Sequence, residues 1–499
     1  MTPRSTPRRL AAGLAAAALL AAGAAMAIGT AAPADGTPAN GALVNDVSPR
    51  PMLLDRGLIS TLDIAADPAT PRAGTTSRTI TSTTTPAPQS EPQSVAQPVP
   101  PSQCLELYGT TGCYGPPQIN RAYGVDRLHR RGLTGAGRTV VVPICYHNPH
   151  LRTDVAAYSR HWGLPPANLE VLQYGDVPTA DPGDLGQAAC AAEAAVDVQS
   201  VHAIAPAARI IVVETGVNQT GGTAGLDELI GAIGWVTRHR RVDAVTMSWG
   251  AYEANFPEQA GRKDDYRLLT DLRGPLKAAH RCGATLIASS GNTGPTGPNL
   301  TGTALYSHPT VAWPASDPLV TAVGGTRVHL DDNGRRTAPD QVWDDEGGVA
   351  TGAGRSAVFP RPAYQRRVAR VTGDRRGSVD VALNASGKAR EWFYSTYNPL
   401  AGQEPGWIRV AGTSIAAPKL AGIVALAAQR AGHPLGDIHR ALYAAPGSPR
   451  HGLHDLTTGT NTANGVDGFA ARRGYDLPSG VGTIANAGRL VNALARTAH

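Results

Sequence analysis

The sequence predicts an α/β fold, because short apolar segments that are typical of buried strands accompany segments that favour helices. Residues 187–202 favour a helix until Pro206 stops it, and residues 420–426 form an apolar stretch typical of a buried helix. Three segments have the strand pattern, at residues 139–144, 242–247 and 284–289. The motifs below spread over about 400 of the 499 residues without an internal repeat, which indicates one large domain with an ample core.

The helix at residues 420–426 is preceded by a tight turn that presents a serine. Gly412 allows a backbone conformation in which a side chain would clash, and Pro418 suits a first helical turn. We therefore expect Ser414 to lie exposed at a helix N-terminus, where backbone N–H groups and the helix dipole favour a developing negative charge. A serine in this place is either a candidate nucleophile or an ordinary helix N-cap, and its partners must decide between the two.

The helix predicted at residues 187–202 carries two acids in an otherwise small and apolar segment. Glu193 and Asp197 are four residues apart and share one face, where like charges destabilise a helix by about a few tenths of a kcal/mol. Because their neighbours are nearly all Ala, Val or Cys, we expect a buried pair that shares a proton, with one pKa raised. The alternative is a surface helix with two solvated acids. His202 is predicted to serve in packing or at the surface rather than as a base.

Two further strands end in polar or glycine-rich segments. Residues 284–289 lead into a loop that carries Asn292, whose amide is suited to donate a hydrogen bond to an oxyanion, although Asn is also common in turns. Residues 242–247 form a buried strand that ends in Ser248-Trp249-Gly250.

Taken together, these segments resemble the sedolisin family of serine-carboxyl peptidases. Each motif is weak alone, but their order and number make the match specific, and it covers the chain from about residue 118 onward. The resemblance implies a subtilisin-like fold with a mostly parallel central sheet flanked by helices, and endopeptidase or aminopeptidase activity, usually at acidic pH. The motifs that carry it are residues 118–125, Glu193 with Asp197, residues 203–210, 248–250, 290–294, 313–316 and 323–326, and residues 412–414.

The resemblance also implies a role for each site residue. Ser414 matches the nucleophile, Glu193 the general base, and Asp197 the acid that orients that base. Asn292 stands where the family has an oxyanion-hole aspartate, which must be protonated to donate, whereas an amide donates without a titrating proton. The segment Ser248-Trp249-Gly250 is expected to pair with the substrate backbone and to line the primary side-chain pocket. The alternative is a binding protein that keeps this fold with weak or no catalytic activity.

The C-terminal part resembles the calcium loops of the same family. Asp455 and Asp476 would supply carboxylates to one calcium ion, and Leu456, Arg472 and Gly474 would supply backbone carbonyls. Calcium prefers six or more oxygen ligands of these kinds. The alternative is a pair of ordinary aspartate turns.

The N-terminal residues predict export. Arginines precede an alanine-rich apolar stretch at residues 10–22, and residues 25–27 fit a small-x-small cleavage pattern, so residues 1–27 are predicted to be a signal peptide. Residues 28–103 are rich in Pro, Ser and Thr and are expected to form a largely disordered leader or linker, with the peptidase domain at residues 104–499. The leader leaves no room for the large folded propeptide that the resemblance implies. We expect a secreted monomer.

The net charge and the cysteine content narrow the remaining classes of substrate and of structural site. The net charge is +6, but the arginines are scattered without interleaved aromatic residues, so we expect peptide or protein substrates and no nucleic acid. No stretch after the signal peptide is long and apolar enough to cross a membrane.

Among the five cysteines, Cys104 with Cys113 is the favoured disulfide, and a Cys145–Cys190 bridge would anchor the helix with the two acids. Cys282 is predicted to be a buried free thiol, and no zinc spacing is present.

Overall fold

A central sheet of mostly parallel strands organises the computed structural model, which describes residues 63–65, 97–109, 112–181, 183–217, 222–397, 405–444 and 446–497. The strands of these residues are, in chain order, β1 (Asp63–Ala65), β2 (Gly112–Tyr114), β3 (Thr139–Cys145), β4 (Asn168–Tyr174), β5 (Arg209–Thr215), β6 (Ala244–Met247), β7 (Ala251–Tyr252), β8 (Thr285–Ser289), β9 (Ala312–Trp313), β10 (Val320–Arg327), β11 (Gln341–Val342), β12 (Asp344–Asp345), β13 (Val349–Ala350), β14 (Gly354–Pro360), β15 (Arg375–Ser378), β16 (Val381–Asn384), β17 (Ala389–Ser395), β18 (Gly406–Ala411), β19 (Leu453–His454) and β20 (Thr483–Ile484).

The helices flank this sheet. They are α1 (Pro101–Tyr108), α2 (Pro116–Tyr123), α3 (Val125–His129), α4 (Leu151–Trp162), α5 (Leu185–Ile204), α6 (Leu226–His239), α7 (Asn255–Ala260), α8 (Arg267–Arg281), α9 (Ala369–Thr372), α10 (Thr413–Ala431), α11 (His439–Leu442) and α12 (Ala487–Thr497). Two short 3-10 helices lie at Ala363–Val368 and Pro449–His451.

The strand order of the central sheet is β19-β20-β16-β10-β8-β6-β3-β5-β4, and β11 pairs with β10. All neighbours from β20 to β4 are parallel, and the antiparallel pairs are β19 with β20 and β10 with β11. The predicted subtilisin-like architecture, with a mostly parallel sheet in one domain, is therefore confirmed.

Both faces of the sheet are buried along the inner strands β3, β5, β6 and β8, which are almost continuously apolar, whereas the edge strand β4 is partly exposed. In β3, Val140, Val142 and Ile144 contact the core on the side of α5 and α10, whereas Val141 contacts the core on the side of α6 and α8. Because the carboxyl ends of parallel strands meet at one edge of the sheet, the segments after β3, β6 and β8 lie at that same edge. The candidate site is built there.

A second sheet has the order β1-β18-β17-β2. Strand β1 pairs antiparallel with β18, with Ile64 opposite Val410, although it belongs to the segment that we expected to be largely disordered. The predicted signal peptide, residues 1–27, lies outside the described residues, as does most of the predicted leader. Within the described part of the chain, every helix is too short or too polar to span a membrane.

Both favoured disulfides are present, Cys104–Cys113 and Cys145–Cys190. Cys282 is the free thiol, as expected, but the prediction that it is buried is wrong because its side chain is exposed. The residue follows the last turn of α8, beside the exposed Arg281 and before Gly283 at a φ of 87°, where the chain turns at the surface.

Candidate active site

Ser414 lies in the first turn of helix α10, directly after the turn at Gly412. Gly412 has a φ of 126°, a backbone conformation that favours glycine, and α10 begins at Thr413. Two expectations about this turn are wrong. Ser414 has an exposed fraction of 0% rather than lying open to solvent, and Pro418 lies inside the helix rather than in its first turn. The small residues around Ser414 allow neighbouring segments to close over it, which local sequence does not reveal.

Glu193 and Asp197 lie on α5, and both are buried, with exposed fractions of 6% and 0%. The helix starts at an N-cap, Asp184, whose side chain accepts hydrogen bonds from the backbone N–H groups of Gly186 and Gln187. From Gly186 onward every residue of α5 is buried, so the alternative of a surface helix with two solvated acids is excluded.

Small residues bring α5 and α10 together. Gly422 of α10 faces α5 so closely that a Cβ atom there would lie 2.7 Å from the Cβ of Ile204 and 3.3 Å from the carbonyl oxygen of Val201. Alanines dominate both helices, and such residues allow two helix backbones to approach closely. This approach places the acid-bearing face of α5 beside the first turn of α10.

The two acids form one electrostatic unit with nearby hydroxyl groups. Burial raises the pKa of Glu193 well above its ordinary value, and the charge of Asp197 raises it further. Burial also raises the pKa of Asp197, while a hydrogen bond of 2.7 Å from Ser248 Oγ to Asp197 Oδ1 lowers it. Neither oxygen of Glu193 makes a hydrogen bond of normal geometry, but the hydroxyls of Ser414 and Ser248 lie close enough to lower its pKa. The arrangement favours one retained proton on the pair.

Asn292 contacts the residue that precedes Ser414. It follows β8 and Gly291, which has a φ of 105°. Thr413 donates to Asn292 Oδ1 twice, from its backbone N at 2.9 Å and from its Oγ1 at 2.8 Å. Because a backbone N–H can only donate, the amide oxygen must face Thr413, and the Nδ2 donor is the opposite end of the amide. Thr413 is a contact that the sequence interpretation missed.

The segment Ser248-Trp249-Gly250 follows β6 at the same edge of the sheet. The side chain of Ser248 is directed to Asp197, and its Oγ also lies 3.4 Å from the carbonyl oxygen of Ser414. Trp249 is buried and donates from Nε1 to the carbonyl oxygen of Pro143 at 2.8 Å. Gly250 has no room for a side chain, because a Cβ atom would lie 2.6 Å from the carbonyl oxygen of Trp313. The substrate-binding role of the segment Ser248-Trp249-Gly250 stays a prediction.

His202 is a packing residue, as expected. It is fully buried, its Nε2 lies 3.0 Å from the carbonyl oxygen of Pro165, and burial lowers its pKa to about 4. A neutral imidazole held in this way does not reach the acid pair, which lies earlier in α5.

The predicted calcium residues meet at one C-terminal loop. Asp455 Oδ2 accepts from the backbone N of Gly474 and Asp476 Oδ2 from that of Arg472, each at 2.8 Å. Burial, with a smaller contribution from the charge of Asp455, raises the pKa of Asp476 to about 6. Asp455 Oδ1 is buried without a hydrogen-bond partner. Asp476 Oδ1 accepts from the backbone N and the Oγ of Ser479, so Asp455 Oδ1 is the one oxygen of the two carboxylates without a protein donor, and the fit to a cation rests on it.

The described residues contain no group of three or more His, Cys, Asp or Glu side chains that suits a metal ion. A cation beside Asp455 and Asp476 would therefore need backbone carbonyls to complete its ligand set, as the prediction with Leu456, Arg472 and Gly474 requires.

The chain is similar to known proteins in both sequence and fold. Residues 186–474 match the model of the subtilase family. Kumamolisin from Bacillus sp. (strain MN-32) is 30% identical over 387 residues, which cover 74% of this chain and 62% of kumamolisin. Sedolisin from Pseudomonas sp. (strain 101) is 32% identical over 207 residues, which cover 40% of this chain and 33% of sedolisin. The chain thus spans less than two thirds of the length of these two relatives.

A solved structure of Pseudomonas sedolisin, described as a serine-carboxyl proteinase complexed with two molecules of pseudo-iodotyrostatin, has the same fold. It superposes with a TM-score of 0.63 at 25% sequence identity, and covers 78% of this chain and 100% of the sedolisin chain.

Proposed function

This chain belongs to the subtilase family, as a sedolisin-like member, and on that premise we propose that it hydrolyses peptide bonds as a serine-carboxyl peptidase. One observation carries the proposal: the buried pair of Glu193 and Asp197 on α5 lies beside Ser414 in the first turn of α10. A binding protein has no need of two buried acids beside a serine, because their desolvation destabilises the fold. The substrates are peptides or proteins.

Glu193 is the general base of this proposal. Its carboxylate takes the proton of Ser414 Oγ while that oxygen forms a bond to the carbonyl carbon of the substrate. The same proton then passes to the leaving nitrogen as the C–N bond breaks, which leaves an acyl ester on Ser414. A water molecule, activated in the same way by Glu193, hydrolyses the ester and restores the serine.

Asp197 keeps Glu193 effective as a base. Because the pair is buried, one proton is retained between the two acids, so the pair carries one negative charge, which lies on Glu193 in the reactive state while Asp197 holds the retained proton. Asp197 therefore holds the carboxyl of Glu193 in place and shares the proton that Glu193 receives from the serine.

Asn292 is the proposed side-chain donor to the oxyanion. Its oxygen accepts hydrogen bonds from Thr413, and Nδ2 is the end of the amide that carries donor hydrogens. The backbone N–H of Ser414, in the first turn of α10, is the proposed second donor, and the helix dipole adds positive potential there. The amide carries no titrating proton and works at any pH at which the acid pair works.

The remaining parts of the proposal concern binding and stability. The backbone of Ser248-Trp249-Gly250 pairs with the substrate, and this segment lines the pocket for its primary side chain.

One calcium ion is held by the carboxylates of Asp455 and Asp476 and by the carbonyls of Leu456, Arg472 and Gly474. Such an ion would neutralise both carboxylates and fasten the C-terminal loop. We also propose that the protein is exported and acts as a monomer.

A peptide-library digest over a series of pH values tests the function. The expected result is cleavage that disappears in Ser414→Ala and falls by about 10⁴-fold or more in Glu193→Gln, since nucleophile and base act as a unit. Absence of cleavage by the unmodified protein at every pH would support a binding protein instead.

A further inference from the structure

Helix α5 presents a smooth surface to its neighbours in the region of Glu193. Of the residues from 188 to 195, all but Cys190 and Glu193 are alanines, and all are buried. Alanine side chains interdigitate little, so packing alone fixes the position of such a helix along its axis only weakly. The precise placement of Glu193 then depends on directed contacts to this part of the helix.

Two such contacts come from the end of β3 and the loop that follows it. The disulfide Cys145–Cys190 joins the end of β3 to the residue three positions before Glu193, on the same side of the helix. Asn148 Nδ2 donates to the carbonyl oxygen of Ala191 at 2.8 Å. Ala191 precedes Glu193 by two residues, which is about 3 Å along the helix axis.

Asn148 is itself held rigidly. It has an exposed fraction of 4%, its backbone N donates to Glu214 Oε1 at 3.2 Å, and its Oδ1 accepts from the backbone N of His150 at 2.9 Å. Glu214 belongs to β5, is almost fully buried, and its Oε2 lies 2.8 Å from His147 Nδ1. Asn148 therefore connects β5 to α5, through its backbone N to the side chain of Glu214 and through its Nδ2 to the backbone of α5.

We propose that Asn148, together with the Cys145–Cys190 disulfide, positions Glu193 for reaction with Ser414. Asn148 is a positioning residue that acts through the backbone of α5. The inference rests on the proposed role of Glu193 as general base. Since a misplacement of about 1 Å in an active site can lower the rate about 10²-fold, loss of this contact is expected to reduce kcat.

The chain offers a matched control on the same helix. Asn120 Nδ2 of α2 donates to the carbonyl oxygen of Ala203 at 2.9 Å, and Asn120 has an exposed fraction of 7%. The bond is chemically the same as that of Asn148, but Ala203 lies ten residues after Glu193. Asn120→Ala removes a comparable hydrogen bond from α5 without loosening the segment that carries the base.

The experiment compares kcat, KM and melting temperature for Asn148→Ala and Asn120→Ala with one peptide substrate. We expect both variants to lose thermal stability, Asn148→Ala more because its Oδ1 also accepts from His150, and only Asn148→Ala to lose kcat, by about 10-fold or more, with KM changed less than about twofold. Equal kcat in the two variants, or a rise in KM alone for Asn148→Ala, would overturn the inference.

The disulfide supplies a second, independent measurement if Asn148→Ala does not fold. Cys145→Ser with Cys190→Ser is compared with Cys104→Ser and Cys113→Ser, which remove the disulfide between α1 and β2. A fall in kcat confined to the Cys145/Cys190 variant supports the inference, and equal kcat in the folded fractions of both contradicts it. If Cys145→Ser/Cys190→Ser does not fold, kcat is measured before and after mild reduction in Cys104→Ser/Cys113→Ser, whose remaining disulfide is Cys145–Cys190. A fall in kcat on reduction supports the inference, and an unchanged kcat contradicts it.

Glu193→Gln separates this inference from the function on which it rests. If Glu193→Gln remains active, the proposed role of Glu193 is wrong. If Glu193→Gln is inactive while Asn148→Ala keeps the kcat of the unmodified enzyme, only the positioning inference fails.

Discussion

Ser248 Oγ donates a hydrogen bond to Asp197 Oδ1 at 2.7 Å, which joins the end of strand β6 to the helix that carries both acids. The contact makes Ser248 a hydrogen-bond partner of the pair formed by Glu193 and Asp197. Its position directly after a strand does not indicate this role. Its hydroxyl lowers the pKa of Asp197 and of Glu193, against the larger effect of burial, which raises both.

Ser248→Ala is expected to move the acidic limb of the kcat/KM profile to higher pH. Removal of the hydroxyl raises the pKa of both acids, so a higher pH is needed to ionise the base. A hydrogen bond to a charged group contributes about 1.5–3 kcal/mol, which corresponds to about one to two pH units. Thr246→Val, which removes a buried hydroxyl without a hydrogen-bond partner from the same strand, is the control and should leave the limb in place. If the midpoint of the acidic limb is unchanged or lowered in Ser248→Ala, the hydroxyl of Ser248 does not lower the pKa of the acid pair.

Glu193→Gln is expected to raise the melting temperature increasingly as the pH rises above about 4.5, the ordinary value for Glu. Below that pH the carboxyl is protonated in the folded and the unfolded chain alike. Above it the unfolded chain loses the proton, whereas the folded chain retains it because burial raises the pKa, and this difference destabilises the fold until the folded pKa is passed. Glutamine carries no such penalty.

The measurement is the melting temperature of both proteins from pH 3.5 to pH 7.5, a window of about one unit below to three units above that ordinary value. Glu346→Gln is the control, because its side chain is 94% exposed. A stability gain for Glu193→Gln that is constant or shrinks with rising pH would show that the acid is not buried as described.

Asn292→Asp is expected to lower the upper pH limit of activity. An aspartate there keeps an oxygen for Thr413, but its second oxygen donates only while protonated, so the oxyanion donor is lost as the pH rises. Loss of one such donor lowers kcat about 10²–10³-fold. We expect kcat/KM of the unmodified protein to extend to higher pH than that of the variant. Coincident profiles, or a more active variant at neutral pH, would exclude Asn292 as the donor.

Chelation of calcium is expected to lower the melting temperature by several degrees. An ion that binds only the folded state at about 100 times its Kd stabilises that state by about 2.7 kcal/mol. Asp455→Asn, which removes one carboxylate, should melt at a lower temperature and respond little to chelator. If excess chelator leaves the melting temperature of the unmodified protein unchanged, Asp455 and Asp476 form ordinary aspartate turns.

The acid pair could be predicted from sequence because its evidence is local. The spacing of Glu193 and Asp197 gives one helix face, and the alanines around them indicate burial. The burial of Ser414 and the contact of Ser248 with Asp197 were not predicted, since both depend on how distant segments meet at the sheet edge. Cys282 shows the same limit, because whether a residue at a helix end is covered depends on the neighbouring segments.

The most direct test of the central claim is covalent labelling by a peptidyl phosphonate probe, with the modified residue identified by mass spectrometry. We expect labelling at Ser414, and at least a 10²-fold slower reaction in Glu193→Gln, because an unassisted serine hydroxyl is a weak nucleophile. Labelling of Glu193→Gln at the rate of the unmodified protein, or no labelling of Ser414 at any pH, would contradict the claim that the acid pair of α5 activates this serine.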